Sequence, residues 1–543
     1  MRRSYHAPHS QLPMLTWGLK LELAEMKIFR TISKVSSHAV HRKLLEPDSR
    51  NTMAFFHLAL LILLCMGVQS APMAVDATNS STSASYPRIF VVTDISNEPD
   101  DQMSLVRLLV HSDILSIQGI STTTSYWLND TTYPEHILDV IDGYENVTTN
   151  LNAHTENTFP SADSLRSVVR AGHSVYGLAA LKNGTLSTGA ELLISAAGNS
   201  NETLHVLLWG GANVLAEALD HVNRTGSQQD LDTFVSRLHV YSISDQDDAG
   251  PWIRKNFPQI PYIASVHGFN MYNNAAWTGI SGDLLYAFDA GGPDSTLVDD
   301  TYIRNNFQIG PLGAKYPDRA FIMEGDSPSL LSVIPNGLNV PARPEFGGWG
   351  GRYILSDISG ASNHYADTID RVVGVSGNTL VSNHATIWRW RSAYQNEMSA
   401  RMQWTLSSNY SSAVHPPKIS LNGTTGTAPY SLSVRPEQSI ILNASRTIDP
   451  DSNSSSTLTF EWMHYKDITA SNQYNANAQI PQLNFTCLNQ ACSTIQTKMP
   501  AESLACPDTG CQTYHVILSV KGQSATPITR YRRIVLEIQG GLS

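Results

Sequence analysis

RIFVVTDISNEPDD, residues 88–101, holds the key to the fold. Arg88 to Thr93 is a short apolar run, bounded like a buried strand. Asp94, Glu98, Asp100 and Asp101 follow, four carboxylates within eight residues. Met103, Val106, Leu109 and Val110 then recur at helical spacing, so the stretch reads as strand, acidic loop and helix. The same alternation continues outward. Further strand candidates are Ile114–Ile120, Leu204–Trp209, Leu238–Ile243, Tyr262–Val266 and Ala320–Met323, with helical stretches such as Val214–Val222 between them. Strands alternating with helices predict an α/β domain over 86–412, an open, mostly parallel sheet with helices on both faces.

Ligands of such sheets bind at the carboxyl ends of the strands. Asp94, Asp100 and Asp101 follow the first run, Gly210-Gly211-Ala212-Asn213 the run Leu204–Trp209, Asp245, Asp247 and Asp248 the run Leu238–Ile243, and Glu324 and Asp326 the run Ala320–Met323. Carboxylates gathered at one edge repel and raise one another's pKa, and a hard divalent cation removes the conflict. Oxygen ligands without Cys or His suit calcium or magnesium, and calcium better, because it accepts irregular geometry and backbone carbonyls. Taken singly, each acidic segment also reads as helix capping or a polar turn, so the metal reading depends on convergence.

Beyond Ser412 the pattern changes. Residues 413–418 (AVHPPK) carry a proline pair and read as a linker. Short strands follow at Ser431–Val434, Ser439–Asn443, Thr457–Trp462, His515–Val520 and Arg530–Ile538, which predicts an all-β sandwich over 419–543. Four of the five cysteines, Cys487, Cys492, Cys506 and Cys511, cluster there. They predict two disulfides in any of three pairings, with a zinc site as the alternative.

At the other end, Ala54–Val68 is a 15-residue apolar run, short for a membrane span, and ends in small residues. It reads as a secretory signal over 53–70. Met53 is then the initiator and residues 1–52 a gene-model extension or a disordered segment, with 71–85 a flexible polar leader. Eleven Asn-x-Ser/Thr sequons all lie after this run, which agrees with a secreted glycoprotein without a stable membrane anchor. Hydrophobic residues make up 41% of the chain and charged residues 15%, enough apolar content to exclude a wholly disordered chain. The net charge of -11 excludes nucleic acid as an expected partner.

The run Val91-Val92-Thr93-Asp94, with Asp100-Asp101 before an apolar helix, resembles the aspartate-rich DxDPGxDD loop of the nucleoside hydrolases. Gly210 to Ala216 (GGANVLA) is similar to their GGLTNIA turn. TDISNEPDDQMSLVRLL, VYSISDQDDAGPWIR, MEGDSPSLL and PEFGGWGGRY resemble more closely a branch of secreted and bacterial proteins. That branch joins a nucleoside-hydrolase-like domain to a β-rich tail and is described as cellulose-binding. The resemblance implies that Asp94, Asp101, Asp326 and the Asn213 carbonyl bind Ca2+, that Asp94 is the base for an attacking water, and that Asp100 contacts a sugar hydroxyl. Val92 replaces the first aspartate of DxD, and Gly325 stands where many nucleoside hydrolases have a leaving-group histidine. Asp247, Asp248 and Glu324 are candidates for substrate contacts, or for the proton donor which that histidine leaves vacant.

Trp127, Trp252, Trp277 and Trp349 fall in polar, loop-like stretches and are candidates for a sugar-stacking platform, with Trp349 foremost because four glycines surround it. His267 is a candidate for the same edge. In the tail, Asn443 to Trp462 resembles the immunoglobulin-like PKD modules. The expected function is a secreted calcium-dependent hydrolase of a glycosidic bond, N-glycosyl or related. Its partner is a carbohydrate or nucleoside-like small molecule. The alternatives are a non-catalytic protein that binds cellulose or another wall glucan, and a cell-surface adhesion protein.

Overall fold

Arg88–Thr93 forms β1 and Pro99–Val110 forms α1, in a computed structural model that describes residues 86–269, 271–472, 480–506 and 511–539. The extension, signal and leader expected over residues 1–85 lie outside the described residues. Among those described, no helix is long and apolar enough to cross a membrane. Ile89 and Val91 of β1 point into one apolar core, and Phe90 and Val92 into another. A strand covered on both faces needs a continuous apolar run rather than alternation.

The strands that follow are β2 (Ser116–Thr122), β3 (Val169–Ala171), β4 (Leu204–Leu208), β5 (Leu238–Ser242), β6 (Tyr262–Ala264), β7 (Tyr353–Leu355) and β8 (His364–Asp367). They make one eight-stranded sheet in the order β3-β2-β1-β4-β5-β6-β8-β7. All neighbours are parallel except β7 and β8 at one edge. Helices α1 and α2 (Pro134–Glu145) cover one face of the sheet. Helices α3 (Thr188–Gly198), α4 (Asn213–Thr225), α5 (Gln228–Ser236) and α6 (Ala249–Asn256) cover the other. Strand order runs one way from β1 to β3 and the other way from β4 to β6. The carboxyl ends of β1 and β4 therefore flank the crevice where such sheets bind ligands.

One expected strand does not form. Residues 320–323 bend instead of joining the sheet, before α7 (Ser327–Leu331). Ser281 explains the difference: its hydroxyl donates to the Met323 carbonyl at 2.7 Å and accepts from the Met323 amide at 3.0 Å. Both main-chain groups are satisfied without a neighbouring strand.

After a hairpin of β9 (Asp370–Val373) and β10 (Thr379–Ser382), helix α8 (Arg391–Trp404) closes the α/β part. The tail is two packed sheets. One holds β11 (Tyr430–Val434), β13 (Leu458–His464), β16 (Thr513–Gly522) and β17 (Thr529–Ile538). The other holds β12 (Ser439–Asn443), β14 (Thr486–Cys487) and β15 (Thr494–Lys498). Leu442, Phe460, Ile495, Leu518 and Leu536 meet in one core between them, as in a β-sandwich. Of the three cysteine pairings, the structure has Cys487–Cys492 and Cys506–Cys511, so no thiolate is left for zinc. Asp449 stabilises its turn, accepting from the Asp451 amide and the Thr457 hydroxyl.

The sandwich packs directly on the α/β part. Along β17, Ile534 and Leu536 enter the sandwich core, whereas Tyr531 and Val535 join the α/β core. Arg533 is fully buried and donates to the carbonyls of Leu338 (2.8 Å) and Gly347 (2.7 Å). Arg530 pairs with Glu397 of α8 at 2.6 Å. The segment expected as a linker is packed too: His415 stacks on Tyr410, and the Val414 carbonyl accepts from the Trp404 indole.

Candidate functional site

The end of β1 delivers Asp94, and the first turn of α1 delivers Asp100 and Asp101. The Thr93 hydroxyl donates to Asp101 and so ties strand to helix. At the end of β4, Gly210 lies against Asp94: a Cβ there would come within 2.7 Å of its Oδ1. Asp326, just before α7, completes the group. Asp100, Asp101 and Asp326 each offer a carboxylate oxygen, and these atoms lie within 4.8 Å of one another. All four aspartates are buried, and among the described residues no arginine or lysine forms an ion pair with them. The Oδ2 of Asp326 has no hydrogen-bond partner.

Burial, reinforced by the neighbouring carboxylates, moves every one of these groups upward. Asp94 is pushed up to about 6 and Asp100 to about 8, and Asp101 and Asp326 are raised well above the carboxylate range. An unpartnered carboxylate in an all-oxygen cluster fits a hard divalent cation, with Asp100, Asp101 and Asp326 as its side-chain ligands.

The cluster forms part of the lining of a cavity of about 200 Å³. Trp209, Ile243, Trp277 and Ile322 also line it, with Trp127, Tyr272, Tyr286 and Phe321, and with Asn97, Glu98 and Gln246. Glu98 is half-buried, and burial raises its pKa. The Trp277 indole donates to Ser244 Oγ at 2.9 Å, which fixes the ring in the wall.

The remaining expected residues lie elsewhere. Glu324 is fully buried, and Arg107 of α1 grips both of its carboxylate oxygens. Tyr316 and Ser327 also donate to it, at 2.8 and 2.7 Å. It does not line the cavity, so its expected role as proton donor is corrected to one of holding the turn before Asp326. Trp349 is corrected likewise. It is fully buried between the α/β part and the tail, with its indole 3.2 Å from the Tyr531 hydroxyl. Its glycines admit neighbouring backbone and side chains rather than a ligand: a Cβ on Gly350 would meet the Pro328 carbonyl at 2.3 Å.

Asp247 is buried beneath Gly211 and accepts from the Ala249 amide, and Asp248 accepts from the Leu178 amide. Neither lines the cavity. His267 does not line the cavity and packs edge-on to Tyr272. The Asn213 side chain bonds Thr123, Thr124 and the Val175 carbonyl, which leaves only its main chain for the role the resemblance implied. One signal for the Arg107–Glu324 pair was present in the sequence: a lone arginine inside the apolar helix Met103–Val110, where an unpaired charge is costly.

Comparison with known proteins matches this architecture in two pieces. Residues 88–353 match the family described as "Cellulose-binding Sde182, nucleoside hydrolase-like domain". Residues 439–538 match "Cellulose-binding protein Sde0182, C-terminal domain". Both parts of the chain thus match models named for one cellulose-binding protein family. A solved nucleoside hydrolase-related hypothetical protein from Saccharophagus degradans, titled as associated with carbohydrate metabolism, is 29% identical. The match covers 84% of this chain and all of that one, with a TM-score of 0.67. An inosine-uridine preferring nucleoside hydrolase from Bacillus anthracis is 14% identical over 58% of this chain and 99% of its own, with a TM-score of 0.30. A plant nucleoside hydrolase, PpNRh1, is 12% identical over 59% and 99%, with a TM-score of 0.27. No curated protein matches the chain.

Proposed function

We propose that this protein is an extracellular hydrolase of a glycosyl bond, N-glycosyl or related, that works with calcium. The observation that carries the reading is the unpartnered, buried Asp326 carboxylate beside Asp100 and Asp101 in an aromatic-lined cavity. Calcium, when bound, supplies positive charge that lets the carboxylates ionise together and that attracts sugar oxygens. Asp94, at the end of β1 beside the cluster, takes the proton of the attacking water. Asp100 accepts from a sugar hydroxyl. Trp209, Ile243, Trp277 and Ile322 exclude bulk water from the reacting bond. Because Glu324 is held by Arg107, the carboxyl placed to donate to the leaving group is Glu98, which lines the cavity outside the cluster.

The test is release of free reducing sugar from nucleosides and from gluco-oligosaccharides, with calcium or with chelator. Calcium-dependent release that Asp94→Asn abolishes supports the reading. Sugar binding without release from any substrate overturns it in favour of the second reading, a carbohydrate-binding protein on this scaffold. The cellulose-binding description of the matching family supports that second reading.

A further inference from the structure

Outside the cavity mouth the wall continues as exposed aromatic rings. Trp127 lines the cavity, yet about half of it (46%) is exposed. Phe269 stacks against it with centroids 5.9 Å apart and planes 24° apart, and Tyr126 packs edge-on to both at 5.1 and 4.5 Å. Phe269 and Tyr126 are 46% and 51% exposed and do not line the cavity. Tyr126 is held in place by its main chain, whose amide donates to the Gln246 carbonyl at 2.7 Å. Tyr272 joins the cluster to the cavity, 6.3 Å from Trp127 and 5.8 Å from Phe269. Exposed large aromatics gathered in one patch mark an interaction surface, unlike scattered single ones. This patch is continuous with the site.

We infer that Trp127, Phe269 and Tyr126 form an outer sugar-binding subsite, so that the cavity takes the terminal unit of a longer oligosaccharide whose next units lie on these rings. This rests on the proposed function for the inner site only. Two observations select the occupant. The cavity, at about 200 Å³, is smaller than the roughly 300–1,000 Å³ of pockets that enclose a whole drug-sized ligand, so a longer ligand extends out of it. The outer surface is aromatic, and among the described residues no arginine stands over the Tyr126, Trp127 or Phe269 ring. Flat, uncharged rings with apolar faces suit it, and a β-1,4-linked glucose chain, with its hydroxyls equatorial, presents such faces.

The test measures binding of cellobiose and cellopentaose to the calcium-loaded, full-length protein by calorimetry, with maltopentaose as the curved-chain control. Cellopentaose should bind more tightly than cellobiose. Phe269→Ala and Tyr126→Ala should each cut the ratio of the two affinities, roughly threefold to tenfold per ring lost. Equal affinities for the two lengths, a ratio unchanged in both variants, or no binding of cellopentaose overturns the inference. So does concentration-dependent dimerisation that Phe269→Asp abolishes, because the rings would then be covered by a second copy. Asp94→Asn separates the two proposals: if length-dependent binding persists while neither enzyme form releases sugar, the outer subsite stands and the hydrolase reading fails.

Discussion

Two groups of buried carboxylates among the described residues differ in what faces them. Where the tail meets the α/β part, each acid has a cation. Asp370 is held by Arg352 and Arg389 at 2.7 and 2.6 Å, Asp113 by Arg401 at 2.7 Å, and Glu397 by Arg401 and Arg530 at 3.0 and 2.6 Å. At the carboxyl ends of β1 and β4, Asp94, Asp100, Asp101 and Asp326 are also buried, but without any such partner. The boundary between the two kinds falls within three residues, because Glu324 has Arg107 and Asp326 has none. The pKa shifts divide in the same way. Burial raises Glu397, but Arg530 and Arg401 outweigh it and hold the group at about 2, whereas the unpartnered aspartates move up. Burial of an acid is thus uninformative by itself, and the missing counter-charge is what points to a ligand.

The comparison breaks most sharply at Asp326. Asp326→Asn and Asp101→Asn should each abolish the rise in Tm on adding calcium; a rise retained in both variants removes the metal assignment. On the paired side, Arg107→Met leaves Glu324 buried and uncompensated, and should cost about 3–5 kcal/mol of stability by denaturant titration. Double replacement with Glu324→Gln should recover part of that loss. Arg530→Ala should cost less, about 2 kcal/mol, because Arg401 still pairs with Glu397 and the Arg530 side chain reaches solvent. A tail that merely hangs beside the α/β part would show no such loss.

The last test uses pH. The folded-state pKa values of Asp94 and Asp100 are raised, so the fold holds protons that the unfolded chain releases. The cation-free protein therefore loses stability as pH climbs from about 4 through about 8. The calcium-induced gain in Tm should accordingly be a few degrees larger at pH 8 than at pH 5. Equal gains at both values mean that the cluster is not the calcium site.

Much of the α/β part was legible because its strands are covered on both faces and so read as unbroken apolar runs. Asp94, Asp100 and Asp101 were legible because they directly follow such a run. Glu324 and Asp326 were not separable by sequence, since the arginine that distinguishes them arrives from α1, more than two hundred residues earlier. Trp349 read as a ligand platform because its covering surface, Tyr531, belongs to a strand at the far end of the chain. Phe269 lies in a different loop from the chain neighbours Tyr126 and Trp127, and only the fold brings its ring onto theirs.

β17 supplies Arg530, Tyr531 and Arg533 to the α/β part. During synthesis, then, α8 emerges from the ribosome well before the residues that neutralise and cover it. Glu397 has to wait for Arg530, some 130 residues later, before its ion pairs are complete. The two regions are neighbours in space yet mature together, and a nascent chain halted ahead of Thr529 would display an unfinished face to chaperones and proteases.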